Sequence, residues 1–279
     1  MLDFLKAGLK RNHAFVFDSA LLPNLDLNIR QKINRVDESK IKAYHKVVQW
    51  QETQDSRIHP CFLHLYAFKQ HMQLMLNKQF PFALLGIVHL SNQIKTFTSL
   101  DCCNELEIES RVIGFERHVK GISFKIKTTF YQRQQIIWQS ISELLAVNKS
   151  AFAGKSRSDP YQLDVDQQLV NKWHCEPGIG RRYGKVSGDL NPIHLSQTSA
   201  KLFGFKSAIA HGMWSKARSV SEFQKHVSDD FFVDIRFLKP VFLPSKVCLW
   251  KSQNNPNETQ LVLTSDDNRI CHFSGQMRF

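Results

Sequence analysis

The sequence predicts an α+β fold in which curved antiparallel sheet wraps apolar helices, repeated in two halves of one chain. Three observations carry this. Each half places an apolar helical stretch ahead of several strand-like runs. Runs of strands after a helix argue against a doubly wound βαβ arrangement. The 279 residues, 42% hydrophobic, suffice for two ordinary domains or one large one.

In the first half, Ile41 to Gln51 reads as an early strand. His59-Pro60 then leads into a helix from Phe62 to about Asn77, where Leu65, Phe68, Met72 and Met75 recur at helical spacing. Four strands are expected next, at Phe82 to Ile94, Glu105 to Ile113, Gly121 to Tyr131 and Gln135 to Val147. The third alternates: Ile122, Phe124, Ile126, Thr128 and Phe130 face one way, and Lys125, Lys127 and Thr129 the other. The polar stretch Ala151 to Tyr161, with Gly154 and Pro160, predicts a linker. This sets two domains, 1–150 and 151–279. The second half opens with a short polar stretch. A helix from Gly212 to about Val227 follows, with Met213, Ala217, Val220 and Val227 on one face and Phe223 beside it. Strands are expected at Phe231 to Leu238, Val247 to Lys251, Thr259 to Thr264 and Ile270 to Phe279, with Pro240 and Pro244 flanking a turn.

No run of 18 apolar residues predicts a transmembrane helix. Met1 to Lys10 is too short and too charged for a signal peptide and reads as an amphipathic turn or two. The six cysteines form no C-x-x-C pair and no zinc-ligand spacing. They predict reduced core thiols and a cytoplasmic protein. The net charge of +12 is spread along the chain without a nucleic-acid-binding motif. It suits a phosphorylated small-molecule carrier or an acidic carrier protein and excludes nucleic acid as the expected partner.

The chemically informative stretch runs from Tyr183 to His194. Asn191 is a preferred N-cap and Pro192 suits the first helical position. His194 then falls in the first turn of a helix, where the dipole disfavours imidazolium. A neutral imidazole there suits a general base. Gly188 permits a turn that bends Asp189 back toward His194, so that the two side chains can hold one water. Spacing alone supports a water-activating acid/base pair.

Gly188-Asp189-Leu190-Asn191-Pro192-Ile193-His194 resembles the hydratase signature of the MaoC-like dehydratases, which include the (R)-specific enoyl-CoA hydratases. The likeness extends through Ala200, Phe203-Gly204-Phe205 and Ile209-Ala210-His211-Gly212-Met213, and more weakly through Phe237 to Phe242. Phe82 to His89 is similar, less specifically, to a strand of the N-terminal halves of double members. The resemblance implies a double hot dog, with a degenerate first half and a catalytic second half. It implies a carbon–oxygen lyase that interconverts a trans-2-enoyl thioester and its (R)-3-hydroxyacyl partner, expected on coenzyme A. Asp189 and His194 would activate the water, Asn191 would orient them, and the Gly212 backbone amide would receive the thioester oxygen. Substrate-contacting candidates are Arg181, Arg182, Tyr183, Ser187, His211 and Met213. Arg181 and Arg182 suit phosphates, with Lys206, Lys216 and Arg218 as further basic candidates, and His211 reads more readily as structural. No metal and no cofactor beyond the substrate's own coenzyme A are expected, and a homodimer is compatible. The first half lacks the signature and carries Pro60 where a helix-start amide would be needed, so it is expected to be catalytically silent and to wall the acyl site. Three other readings share the fold: an acyl-carrier-protein dehydratase, a hot dog thioesterase, and a non-catalytic acyl-binding subunit.

Overall fold

The computed structural model describes residues 22, 25–51, 57–84, 86–100, 102, 104–147, 162–164, 166–255 and 258–279. Met1 to Lys10, Cys103 and the expected linker Ala151 to Tyr161 lie outside the described residues. The elements run β1 (Asn28–Ile33), α1 (Glu38–Val48), α2 (His64–Leu76), β2 (Ile87–Thr96), β3 (Leu106–His118), β4 (Gly121–Gln132) and β5 (Gln135–Val147). There follow β6 (Gln168–Cys175), α3 (Ile179–Ser187), α4 (Pro192–Leu195), α5 (Gln197–Lys201), α6 (Gly212–Ser221), β7 (Phe232–Phe237), β8 (Ser245–Asn255), β9 (Glu258–Ser265) and β10 (Cys271–Arg278).

The strands form one antiparallel sheet in the order β1-β3-β4-β5-β2-β7-β10-β9-β8-β6. Five strands of the first half therefore meet five of the second along one seam, where β2 pairs β7 from Ser91↔Arg236 to Lys95↔Phe232. The alternation read in β4 is realised: Ile122, Phe124, Ile126, Thr128 and Phe130 are buried. Thr129, expected on the outer face, is buried as well. No helix among the described residues is long and apolar enough to cross a membrane.

Three expectations need correction. The stretch expected as a strand over Ile41 to Gln51 is helical through Val48, not extended. Asp37 caps α1, its Oδ1 accepting from the Ser39 amide at 2.8 Å, and Ile41, Tyr44 and Val48 bury one face at helical spacing. The local strand propensity of Ile and Val loses to that cap and face. The opening of the second half is not merely polar, because β6 and α3 occupy it. The helix starting at Gly212 ends at Ser221 rather than near Val227, and a single 3-10 turn covers Gln224–His226. The Ser219 and Ser221 hydroxyls donate back to the carbonyls of Ser215 and Ala217 in its last turns.

Helix α6 is buried over Met213–Ser221, on all sides. Three side chains tie it to the first half. The Trp214 indole donates to the Val47 carbonyl at 2.9 Å, and His59 Nε2 donates to the Ala217 carbonyl at 3.0 Å. The Lys216 ammonium, fully buried, donates to the Asn92 carbonyl and Oδ1, each at 2.6 Å, and to the Val233 carbonyl at 3.3 Å. Asn92 lies on β2 and Val233 on β7, so this one ammonium spans the seam between the halves.

Burial keeps several histidines neutral. It pushes His59 and His71 down to about 3 and His89 to about 4, from the ordinary 6.5. The unfolded chain therefore binds more protons between those values, so their contribution is full above pH 6.5 and fades as pH falls toward 4. Urea unfolding at pH 7, 5.5 and 4.5 should show a progressive fall in stability; a constant value across that range contradicts the neutral, buried assignment.

Candidate active site

The chain from Gly188 to Leu195 lies across α3, and two glycines of that helix make room for it. A Cβ at Gly180 would overlap the His194 carbonyl oxygen, and one at Gly184 would sit 2.7 Å from the Asp189 carbonyl oxygen. Four residues apart, they share a helix face. Helix α3 ends at Gly188, whose φ of +83° is the left-handed conformation that glycine adopts without strain, and whose amide donates to the Gly184 carbonyl at 2.9 Å. The chain turns there and presents Asp189.

Local hydrogen bonds then fix the loop. The Asp189 amide donates to Ser187 Oγ at 3.2 Å, and Asp189 Oδ1 accepts from the Asn191 amide at 3.2 Å. Asn191 is the N-cap of α4, its Oδ1 accepting from the Ile193 amide, with Pro192 at the first position. His194 stands at the third helical position, as the cap predicted. Its Nδ1 donates to the Ile209 carbonyl at 2.8 Å. That bond sets the tautomer and leaves Nε2 as the basic nitrogen.

His211 completes the group. Its ring stacks on His194 with centroids 3.7 Å apart and planes at 25°. Its Nε2 donates to the Asp189 carbonyl at 3.0 Å and lies 3.7 Å from Asp189 Oδ2. Ligand-type atoms of Asp189, His194 and His211 all fall within 4.8 Å of one another. One nitrogen of each imidazole is already committed to a backbone carbonyl.

Burial raises the Asp189 carboxyl above its usual range, opposed by His194 and the Asn191 amide. Burial lowers His194, opposed by the Asp189 carboxylate and the Ile209 carbonyl. Opposite shifts of this kind bring an acid and a base toward the same pH, which suits proton transfer.

Gly212 is the first residue of α6, so its amide belongs to the unpaired donors of a helix start. A side chain there would press on the Phe237 ring at 3.0 Å. Asp189, Asn191, His194 and Gly212 line one cavity of about 380 Å³. Tyr183, Ser187, His211 and Met213 line it too. Arg181 and Arg182 do not: Arg181 donates to the Leu195 carbonyl at 3.1 Å and Arg182 pairs with Glu176 at 2.6 Å. Lys206 lies over the Phe242 ring, Lys216 holds the seam, and Arg218 pairs with Glu222 and covers Trp173. The far wall comes from the first half, through Phe68, Met72 and Met75 of α2 and Leu84. Sequence reasoning missed Gly180 and Gly184, and it named His211 without its stacking on His194; the i, i+4 glycine pair just before the signature was the available signal.

Residues 163–266, in the second half of the chain, match the family model described as MaoC like domain. The chain is similar to 3-hydroxyacyl-thioester dehydratase X of Mycobacterium tuberculosis, 25% identical over 234 residues that cover 84% of this chain and 82% of that relative. The crystal structure of HtdX from Mycobacterium tuberculosis superposes with a TM-score of 0.77 at 23% identity, covering 90% of this chain and 99% of that one. A MaoC-like dehydratase from Phytophthora capsici gives a TM-score of 0.70 at 19% identity, over 91% and 95% of the two chains. These likenesses establish a MaoC-like fold.

Alanine normally exceeds glycine in a helix interior by about 1 kcal/mol. At Gly180 and Gly184 the close loop should reverse that sign. Gly180→Ala should lower the melting temperature and, by displacing His194, cut any turnover about 100-fold. A stabilised, fully active Gly180→Ala variant contradicts the close approach.

Proposed function

We propose that the chain is a hydro-lyase interconverting a trans-2-enoyl thioester and the (R)-3-hydroxyacyl thioester, with coenzyme A as the carrier. The observation that supports this most is the tautomer of His194. The Ile209 carbonyl holds its Nδ1 proton, so Nε2 is free to exchange a proton beside the Asp189 carboxylate. In hydration, a water held between Asp189 and His194 adds its oxygen to C3 of the enoyl group. Its proton passes to the pair, and C2 takes a proton back from the pair. Electron density moves onto the thioester oxygen meanwhile, where the Gly212 amide receives it. A donor in that role contributes roughly 3 kcal/mol to lowering the barrier. Asn191 holds the loop. His211 stacks behind His194 and pins the Asp189 carbonyl, a positioning role.

The chain reads as a double hot dog, with α2 and α6 as the helices wrapped by its two half-sheets. The division is 1–150 and 151–279, and the first half supplies the acyl wall. The apolar side chains of α2 on the cavity support that wall, and Lys239, exposed on the same cavity, suits an anionic carrier. The free cysteines Cys61, Cys175, Cys248 and Cys271 suit a reducing, cytoplasmic setting.

Crotonyl-CoA hydration, followed as loss of enoyl absorbance, tests the reading. Asp189→Asn and His194→Ala should each lower kcat/KM by at least 1000-fold while the fold survives, since residues acting as a unit cost as much singly as together. Unchanged rates in both sink the assignment, and activity confined to carrier-protein thioesters moves the substrate to that carrier.

The pH profile offers a second check. His194 acts as a base when neutral, and burial holds its pKa below 6.5. Activity should fall on the acid side with a midpoint below 6.5; a midpoint above it contradicts the buried neutral imidazole.

A further inference from the structure

The acyl side of the cavity is not uniformly apolar. Three histidines of the first half line it: His64 at the start of α2, His71 two turns on, and His89 on β2. The rings of His64 and His71 lie 5.8 Å apart at 80°, and those of His64 and His89 lie 6.1 Å apart at 19°. His89 stands at a β-bulge, where the β2–β5 register shifts between His89 and Ser91. Bulges re-aim side chains beside functional sites. The His89 ring is 5.2 Å from that of Phe237, the ring that packs on Gly212.

Their hydrogen bonds are uneven. His71 Nε2 is paired with Thr128 Oγ1 at 2.9 Å, which in turn meets Ser110 Oγ at 2.7 Å. His64 Nδ1 and His89 Nε2 are buried and have no hydrogen-bond partner among the described residues. Burial keeps all three rings neutral, aided by neighbouring charge from His71 and His89 at His64, from His89 at His71 and from Lys216 at His89. A neutral imidazole offers one donor and one acceptor. A plain alkyl chain would leave both free nitrogens unpaired in a dry wall. A hydroxyl both donates and accepts, so one hydroxyl can satisfy His89 Nε2 and His64 Nδ1 together. The hydroxyl at C3 belongs to Asp189 and His194, so this one lies farther along the chain.

We propose that His64 and His89 form a polar subsite, steadied by His71, that recognises a second hydroxyl on the acyl chain of a hydroxylated acyl thioester. The proposal rests on the acyl-thioester reading above and names its substrate class.

Calorimetric binding to the whole protein tests it without turnover. The probes are hexanoyl-CoA and the hexanoyl-CoAs carrying one hydroxyl at carbon 4, 5 or 6. At least one hydroxylated thioester should bind 10-fold or more tightly than hexanoyl-CoA, and His89→Leu should remove that preference. Where His89→Leu does not fold, imidazole nitrogen NMR of the unaltered protein replaces it. The His89 Nε2 resonance should then move with the hydroxylated thioester and not with hexanoyl-CoA. Equal affinities for all four thioesters, or a preference kept in His89→Leu, overturns the subsite. Equal affinities with crotonyl-CoA hydration intact reject the subsite alone. Absence of crotonyl-CoA hydration, with the hydroxyl preference present, rejects the hydratase reading and keeps the subsite.

Discussion

The buried ammonium of Lys216 is the contact on which the arrangement of the two halves turns. An ion in a dry interior is stable when oxygen acceptors replace its water, and here three do so. Two belong to Asn92 on β2 and one to Val233 on β7, the strands that meet at the seam. Burial pulls the Lys216 pKa down to about 8, which still leaves it charged at neutral pH. Helix α6 is thereby locked to both half-sheets at one point. Gly212 lies one turn upstream of Lys216, so the same lock sets where the helix begins and where its free amide points. Trp214 and His59 add two further polar ties between this helix and the first half.

The loop from Gly188 to Leu195 is held from two directions. Helix α3 offers a face without side chains at Gly180 and Gly184, against which the backbone of Asp189 and His194 lies directly. From the other side, the Ile209 carbonyl fixes the His194 ring and His211 fixes the Asp189 backbone. The Asp189 and His194 side chains are therefore both positioned by main-chain partners, which do not change rotamer. Burial then shifts their pKa values in opposite senses. The first half contributes no part of this pair, yet it forms the opposite wall and supplies the residues that hold α6.

What could be read from the sequence was local. Asn191, Pro192 and His194 declare a helix start within four residues, and Gly188 declares a turn, so the loop was legible before any tertiary structure. The alternation in β4 was equally plain. Contacts that span the chain were not. Ile41 to Gln51 looked extended because its β-branched and aromatic residues outweighed a cap lying just outside the run. Lys216 read as one more basic candidate for phosphates, since nothing in its neighbours reveals acceptors 124 residues away. Arg181 and Arg182 looked like phosphate ligands from position alone, whereas their side chains turn to Leu195 and Glu176. The histidines of the cavity wall fell on separate elements and could not be grouped by spacing.

The central claim is that the water held by Asp189 and His194 is delivered to C3 of an enoyl thioester. Incubation with crotonyl-CoA in oxygen-18 water, followed by mass spectrometry and chiral separation, measures this directly. The account predicts label on the 3-hydroxyl of an (R)-3-hydroxybutyryl-CoA whose thioester remains intact. Label in a free carboxylate, with coenzyme A released, would show attack at the carbonyl and contradict it.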